Sequence, residues 1–305
     1  MTDAVRYECA VDPAGLVAID MHVHVEKDTG GRLALPNEFV DAAAKYFNAP
    51  TDRMDVDATA AYYRERSMAA VVFTVDATSG LGHPPNSVAD VVAGAARNND
   101  VLIPFGSVDP WADDAVDQAR RQVEELGVRG FKFHPSVQDF DPSDQRHFPL
   151  YGAIESYRLP AIFHTGQTGI GARTPGGFGI KLGLSNPMLL DAVAAGFPGM
   201  TLIMAHPSVP WQDEQLAVAT HKGNAYIDLS GWSPKYFPPQ LVKQANSLLK
   251  DKVMFGSDFP LLTPERWMRD FENLEIKPEV RPKIIKDNAV RLLGLAAGET
   301  TEENA

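Results

Sequence analysis

His22 and His24 close an apolar stretch in the order MHVH, and their spacing of two puts both rings on one face of an extended chain. Two imidazoles so placed can chelate a transition metal, although a lone pair of this kind also arises by chance and a strand-end histidine is ordinarily a hydrogen-bonded structural group. Their companions decide the matter. His164 stands in FHTG, His206 in MAHPS and Asp258 in FGSDFP, each at the end of its own short apolar run. Histidines kept for structure alone would be scattered among faces, helices and loops. Imidazole and carboxylate donors suit one divalent ion, zinc first, with manganese, iron or cobalt as substitutes, and three or four protein ligands leave a coordination position open. Such an ion lowers the pKa of a bound water to about 7. His206 is then available to orient or protonate a substrate, and Asp258 to exchange a proton, which makes these two the candidate catalytic residues.

Lys132 and His134 lie two apart in GFKFHP and share a face in the same way. A carbamylated Lys132 would bridge two ions; as an ordinary lysine it pairs with Asp258 or a substrate carboxylate. The expectation is one ion, with Lys132 and His134 facing substrate. Trp232 and Lys235, in SGWSPKYFP with Tyr236, offer an aromatic wall and a cation, and Arg173 offers another cation in a glycine-rich stretch. His83, His147 and His221 fall in expected loops or helix ends and are set aside as solvent-exposed or locally bonded.

Positioning these groups requires a scaffold that brings several strand ends together. Eight β-branched, apolar runs recur at 16–25, 69–77, 101–109, 128–134, 160–165, 200–206, 224–230 and 252–258. Most are continuously apolar, as parallel strands covered by helices are. Amphipathic segments alternate with them at 58–68, 87–98, 112–126, 144–157, 186–195, 212–220, 239–249 and 278–293, several opened by Ser, Asp or Asn. Eight βα units predict a single-domain TIM (β/α)8 barrel spanning 1–305, its core at about 16–295, in which active groups sit at the C-terminal strand ends. A doubly wound open sheet competes, but its first strand would normally end in a glycine-rich phosphate turn, not in a histidine pair. The longest connection, 26–57, is expected to form a lid or substrate wall, and 167–183 a second glycine-rich excursion; the acidic tail from Glu299 is expected to fray.

Bulk properties limit the partners. A net charge of −12 and a pI near 5.1 speak against a nucleic-acid or anionic-membrane surface, while leaving room for a local basic pocket that holds a small-molecule substrate. Cys9 is the sole cysteine, so no intrachain disulfide forms, and no basic-then-apolar leader or long apolar span occurs; the expected location is cytoplasmic. No interface stripe is evident, and homo-oligomerisation is left open. A binding protein with a structural metal is the nonenzymatic alternative, disfavoured because structural zinc sites are normally closed.

HVH at 22–24, FKFHP, FHTG, AHPS, GSDFP and DNAVRLLGL, in this order from about Leu16 to Leu295, resemble the amidohydrolase-related family that includes aminocarboxymuconate-semialdehyde decarboxylase. The resemblance implies a metal-bound TIM barrel in which His22, His24, His164 and Asp258 are ligands and His206 is the catalytic histidine. Its members include decarboxylases, lactone hydrolases, hydratases and carbon–carbon hydrolases, so fold alone does not choose a reaction. IDLSGWSPKYFP and DKVMFGSDFPLLTPERW are similar to a branch of 4-hydroxyphenyl-β-ketoacyl-CoA hydrolases. That similarity implies retro-Claisen hydrolysis of an aryl ketone, with Arg53, Arg173, Lys181 and Lys235 as candidate phosphate or carboxylate contacts. Nonoxidative decarboxylation of an aromatic or dienoic acid is the alternative.

Overall fold

In the computed structural model, which describes residues 5–295, the eight apolar runs become eight short parallel strands. They are β1 Ala18–His24, β2 Met68–Phe73, β3 Leu102–Pro104, β4 Phe131–Phe133, β5 Ala161–His164, β6 Leu202–Ala205, β7 Ala225–Asp228 and β8 Val253–Met254. β1, β2 and β3 pair in sequence order, as do β4 through β8. Parallel bridges between Gly106 and Phe131 and between Val23 and Phe259 join the two sets at both ends. The sheet therefore closes on itself, and the chain is a TIM barrel.

Alternation along each strand sorts the core into two shells. Ile19, Met21, Val71, Phe73, Ile103, Ile162, Ile203 and Met254 fill the barrel, while Ala18, Val72, Phe131, Phe163, Leu202 and Ile227 face the surrounding helices. The strands are shorter than the apolar runs at one or both ends, and polar side chains such as His134, Thr165, His206 and Asp258 follow the last paired residues.

The ladder between β1 and β2 is irregular where the chemistry begins. Asp20 pairs with Ala70 but Val23 with Val72, so β1 carries one residue more than its neighbour. Ile19 and Met21 point inward, and strict alternation would send His22 and His24 outward. The bulge reverses the parity: Val23 joins the helix-facing core and both histidines turn into the barrel, against Phe73.

The outer helices follow the expected order with shifted ends. The helix foreseen at 58–68 runs Val56–Arg64, capped by Asp55, and that foreseen at 278–293 begins at Arg281 and passes through a wide turn, Lys283–Asp287, into Asn288–Leu293. Besides the one-turn helices Thr78–Leu81 and Pro135–Gln138, two longer helices were not foreseen. Asn37–Phe47 lies inside the long 26–57 connection, hidden by its flanking Gly-Gly and Pro, and Pro264–Glu272 carries its proline in the first turn, where no backbone N–H is needed. Among the described residues no helix is long and apolar enough to cross a membrane. The tail from Glu299 lies outside the described residues.

Candidate metal centre

The C-terminal strand ends converge as a barrel requires. Nε2 of His22 and Nε2 of His24 each lie 3.3 Å from Oδ1 of Asp258, although Asp258 comes from the turn after β8. One donor atom from each of the three falls within 4.8 Å of the others. His164, at the end of β5, adjoins this group through His206: Nδ1 of His164 and Nε2 of His206 are 2.9 Å apart. His206 and Asp258 both adopt left-handed backbone, with φ of 72° and 73°, a conformation costing on the order of 1 kcal/mol or more in a non-glycine residue. At Gly231, with φ of 73°, a Cβ would lie 2.6 Å from Nδ1 of His206, so only glycine lets the post-β7 turn pass this close to the ring.

Neighbouring hydrogen bonds fix which nitrogen of each ring is free. Oδ2 of Asp228, at the end of β7, lies 3.0 Å from Nδ1 of His22 and accepts its proton, which leaves the Nε2 lone pair aimed at the Asp258 side. Oγ of Ser230 lies 3.0 Å from Nδ1 of His22 and 2.9 Å from Nδ1 of His206, and donates to Asp228. Donor atoms of His22, His206 and Asp228 also cluster, but there Ser230 and the His22–Asp228 bond join them to one another, and Asp228 is placed to orient the His22 ring. Sequence reasoning passed over Asp228 and Ser230. Their spacing of two at the end of a strand is the same signal that marked His22 and His24.

Burial sets the protonation states. Burial, reinforced by Lys132, holds His22 and His134 well below the usual imidazole range, and burial holds His164 there as well, so all three rings are neutral. Burial alone would raise the Asp258 carboxyl, yet the hydrogen bond from His24 holds it below the ordinary carboxylate range. Neutral imidazoles beside an ionised carboxylate are the state a divalent ion requires. Two further observations fit such an ion. Nε2 of His164 is buried without a hydrogen-bond partner, and the amine of Lys132 stands 2.9 Å from Nε2 of His22, placing a cationic group at the lone pair an ion would use.

Lys132 itself is fully buried beneath the centre, over the face of Phe73, and burial pushes its pKa down to about 8. It does not reach the cavity, and neither does Lys235, which lies over the ring of Tyr236; the sequence had given both to the substrate. Arg53 is committed to Glu26, and Lys181 is paired with Asp139 at 2.8 Å. His134 does line the cavity, its ring stacked on that of His164 with centroids 3.8 Å apart. Of the histidines set aside, His83 bonds to the carbonyl of Leu33, whereas His147 is buried between Trp111 and Phe140.

Above the centre opens a cavity of about 470 Å³ with His24, His134, His164, His206 and Asp258 in its walls. Tyr46 and Phe47 from Asn37–Phe47 form one side, so the 26–57 connection supplies a wall as expected, and Trp232 and Tyr236 form another. Arg173 and Arg266 also line it, and neither guanidinium has an ion-pair or hydrogen-bond partner among the described residues. Arg266 was not foreseen, because its place on the wall depends on the unforeseen helix after β8.

A TIM barrel with histidine and carboxylate donors gathered at its mouth defines a class of metal-dependent enzymes. The amidohydrolase family model matches residues 19–295, and the chain belongs to that family. Solved structures share the fold. An uncharacterised TIM-barrel protein of Bordetella bronchiseptica is 23% identical, with a TM-score of 0.73, over 91% of this chain and 98% of that one. A dihydroxybenzoic acid decarboxylase of Polaromonas sp. JS666, solved with manganese and 2-nitroresorcinol, is 16% identical, with a TM-score of 0.65, over 94% and 100% of the two chains. A candidate 2-pyrone-4,6-dicarboxylic acid hydrolase of Pseudomonas putida is 18% identical, with a TM-score of 0.60, over 93% and 99%.

Proposed function

We propose that this protein is a metal-dependent hydrolase that cleaves a carbon–carbon bond in an anionic aromatic substrate, an aryl β-ketoacyl thioester being the best fit. The observation that carries this reading is the convergence of His22, His24 and Asp258 at the foot of an aromatic-walled cavity whose two arginines are uncommitted. His22, His24, His164 and Asp258 would hold one divalent ion, zinc or manganese in the first place. Such an ion supplies Lewis acidity for a polarised carbonyl and an activated water at neutral pH.

The chain's own residues supply the rest. Tyr46, Phe47 and Trp232 bind the ring, and exclude water from one side of it. Arg173 and Arg266 take the anionic end, a carboxylate or the phosphates of a thioester carrier, by charge-assisted hydrogen bonds. Ser230, whose own proton goes to Asp228, accepts from Nδ1 of His206, so the Nε2 lone pair is free to exchange its bond to His164 for one to the attacking water, take that water's proton and pass it to the departing carbon. A cavity of about 470 Å³ is larger than a single-ring acid fills, which favours an acyl chain beyond the ring.

Decarboxylation of an aromatic acid is the second reading, favoured by the similarity to the manganese-containing dihydroxybenzoic acid decarboxylase. Metal analysis of the purified protein, followed by a panel of aryl β-ketoacyl-CoA thioesters and hydroxybenzoates in H2(18)O, separates the two. Retro-Claisen hydrolysis puts solvent oxygen into the aryl acid and releases the shortened acyl thioester, whereas decarboxylation releases CO2. A metal-free protein whose turnover is untouched by added metal would overturn both.

A further inference from the structure

The metal centre straddles the seam at which the barrel closes. His22 and His24 lie on β1, and Asp258 lies in the turn that follows β8, so the separation of the ligands is set by how firmly first and last strands are joined. Backbone hydrogen bonds cross the seam from Met21 N to Phe255 O at 3.0 Å, from Asp258 N to His22 O at 3.0 Å and from His24 N to Phe259 O at 2.8 Å. The bulge in β1 leaves the N–H of His22 without a strand partner. Asp20 takes it.

Oδ1 of Asp20 accepts from the backbone N of His22 at 3.1 Å and, across the seam, from the backbone N of Ser257 at 2.8 Å. Its Oδ2 accepts from the Tyr63 hydroxyl at 2.7 Å, a group delivered by the helix Val56–Arg64. Ser257 in turn accepts through Oγ from the backbone N of Phe259 at 3.0 Å, closing the turn that carries Asp258. Asp20 and Tyr63 are both fully buried, and neither lines the cavity. An outward position on a parallel strand calls for an aliphatic side chain, as Ala18 and Val23 show on either side, so packing does not account for a carboxylate here.

We propose that Asp20, anchored by Tyr63, is a positioning residue for the metal centre: one carboxylate, bonded to the backbone of both ligand-bearing segments, sets the spacing of His22 and Asp258. The inference rests on the metal reading above. It predicts that loosening this clamp weakens ion binding without touching a ligand or the substrate cavity.

The test is a Co(II) titration of metal-free full-length protein, followed by visible absorption and by competition with a chromophoric chelator. Wild type is compared with Tyr63→Phe, Asp20→Ala and Tyr151→Phe. Tyr151 is also fully buried, and its hydroxyl donates to Pro142 O at 3.2 Å away from the seam, so its variant loses the same chemical group without touching the clamp. The expected result is Co(II) affinity weakened about 10-fold by Tyr63→Phe and on the order of 100-fold by Asp20→Ala, which removes the acceptor of both backbone N–H groups, with a changed visible band, and wild-type affinity in Tyr151→Phe. Wild-type affinity and spectrum in both clamp variants, alongside a loss of melting temperature like that of Tyr151→Phe, would overturn the inference and leave the metal reading standing. A wild type that binds no Co(II) would overturn both. Should Asp20→Ala fail to fold, Tyr63→Phe decides.

Discussion

Replacing Asp228 by Asn keeps the shape of the side chain and removes the acceptor that orients His22. Oδ2 of Asp228 accepts the Nδ1 proton of His22 at 3.0 Å while Oδ1 accepts from the backbone N of Ser230 at 3.1 Å. An asparagine has one acceptor oxygen and one NH2, so it can serve only one of these donors. If the NH2 faces His22, the ring is driven to the tautomer with its proton on Nε2, and the lone pair aimed toward Asp258 is lost. If it faces Ser230, two donors oppose each other in a buried site, at about 1–3 kcal/mol. Either way the preorganisation of the centre falls, by about 10- to 100-fold in metal affinity, equivalent to roughly 1.4–2.7 kcal/mol. Burial raises the Asp228 carboxyl, so the neutral amide also relieves a penalty on the charged form. The metal-free variant should therefore melt close to wild type, and only the metal-loaded form should lose stability. Chelator competition gives the affinity, and (15)N NMR of the His22 ring gives the tautomer. Unchanged affinity with an unchanged Nδ1–H tautomer would refute the assignment of Asp228 as the orienting group.

Gly94→Ala places a Cβ 2.0 Å from Cγ1 of Val56, a stiff β-branched side chain, where the helices Val88–Arg97 and Val56–Arg64 meet; urea unfolding should show a net loss of about 1–3 kcal/mol. His147 has its pKa lowered by burial, so between that value and about 6.5 the unfolded chain binds a proton that the folded one does not. Stability contributed by neutral His147 is thus present above about pH 6.5 and lost as the pH falls below it; melting temperatures from pH 7.5 to 5 should decline less steeply in His147→Phe. Arg173→Ala and Arg266→Ala should each raise KM for an anionic substrate on the order of 10-fold with kcat little changed, and equal effects on a neutral analogue would count against an anion contact.

The pattern of eight apolar runs made the barrel legible because strand and helix periods are local properties, and a parallel strand buried on both faces must be apolar along its length. Element ends were less legible. The 26–57 stretch was read as a connection and no helix was expected after β8 before 278, yet Pro36 immediately precedes one helix and Pro264 occupies the first turn of another, and the second of these helices brings Arg266 to the cavity. The cations show the same limit. Lys132, Lys235, Arg53, Arg173 and Lys181 are alike in type, and only their surroundings show that Arg53 and Lys181 are paired, that Lys132 is sealed beneath the centre and that Arg173 faces open space.

By itself the amino-acid order determined the donor types, their place at the ends of separate strands and the kind of scaffold that gathers such ends. Tertiary structure alone decided which donors meet. His22 finds its orienting carboxylate 206 positions away in Asp228, and whether its ring enters the barrel depends on one extra residue in β1, a parity set by pairing with β2. The physical reason is the range of the interactions: strand and helix periods are written in neighbouring residues, whereas a hydrogen-bond partner across the barrel exists only once the last strand has closed on the first.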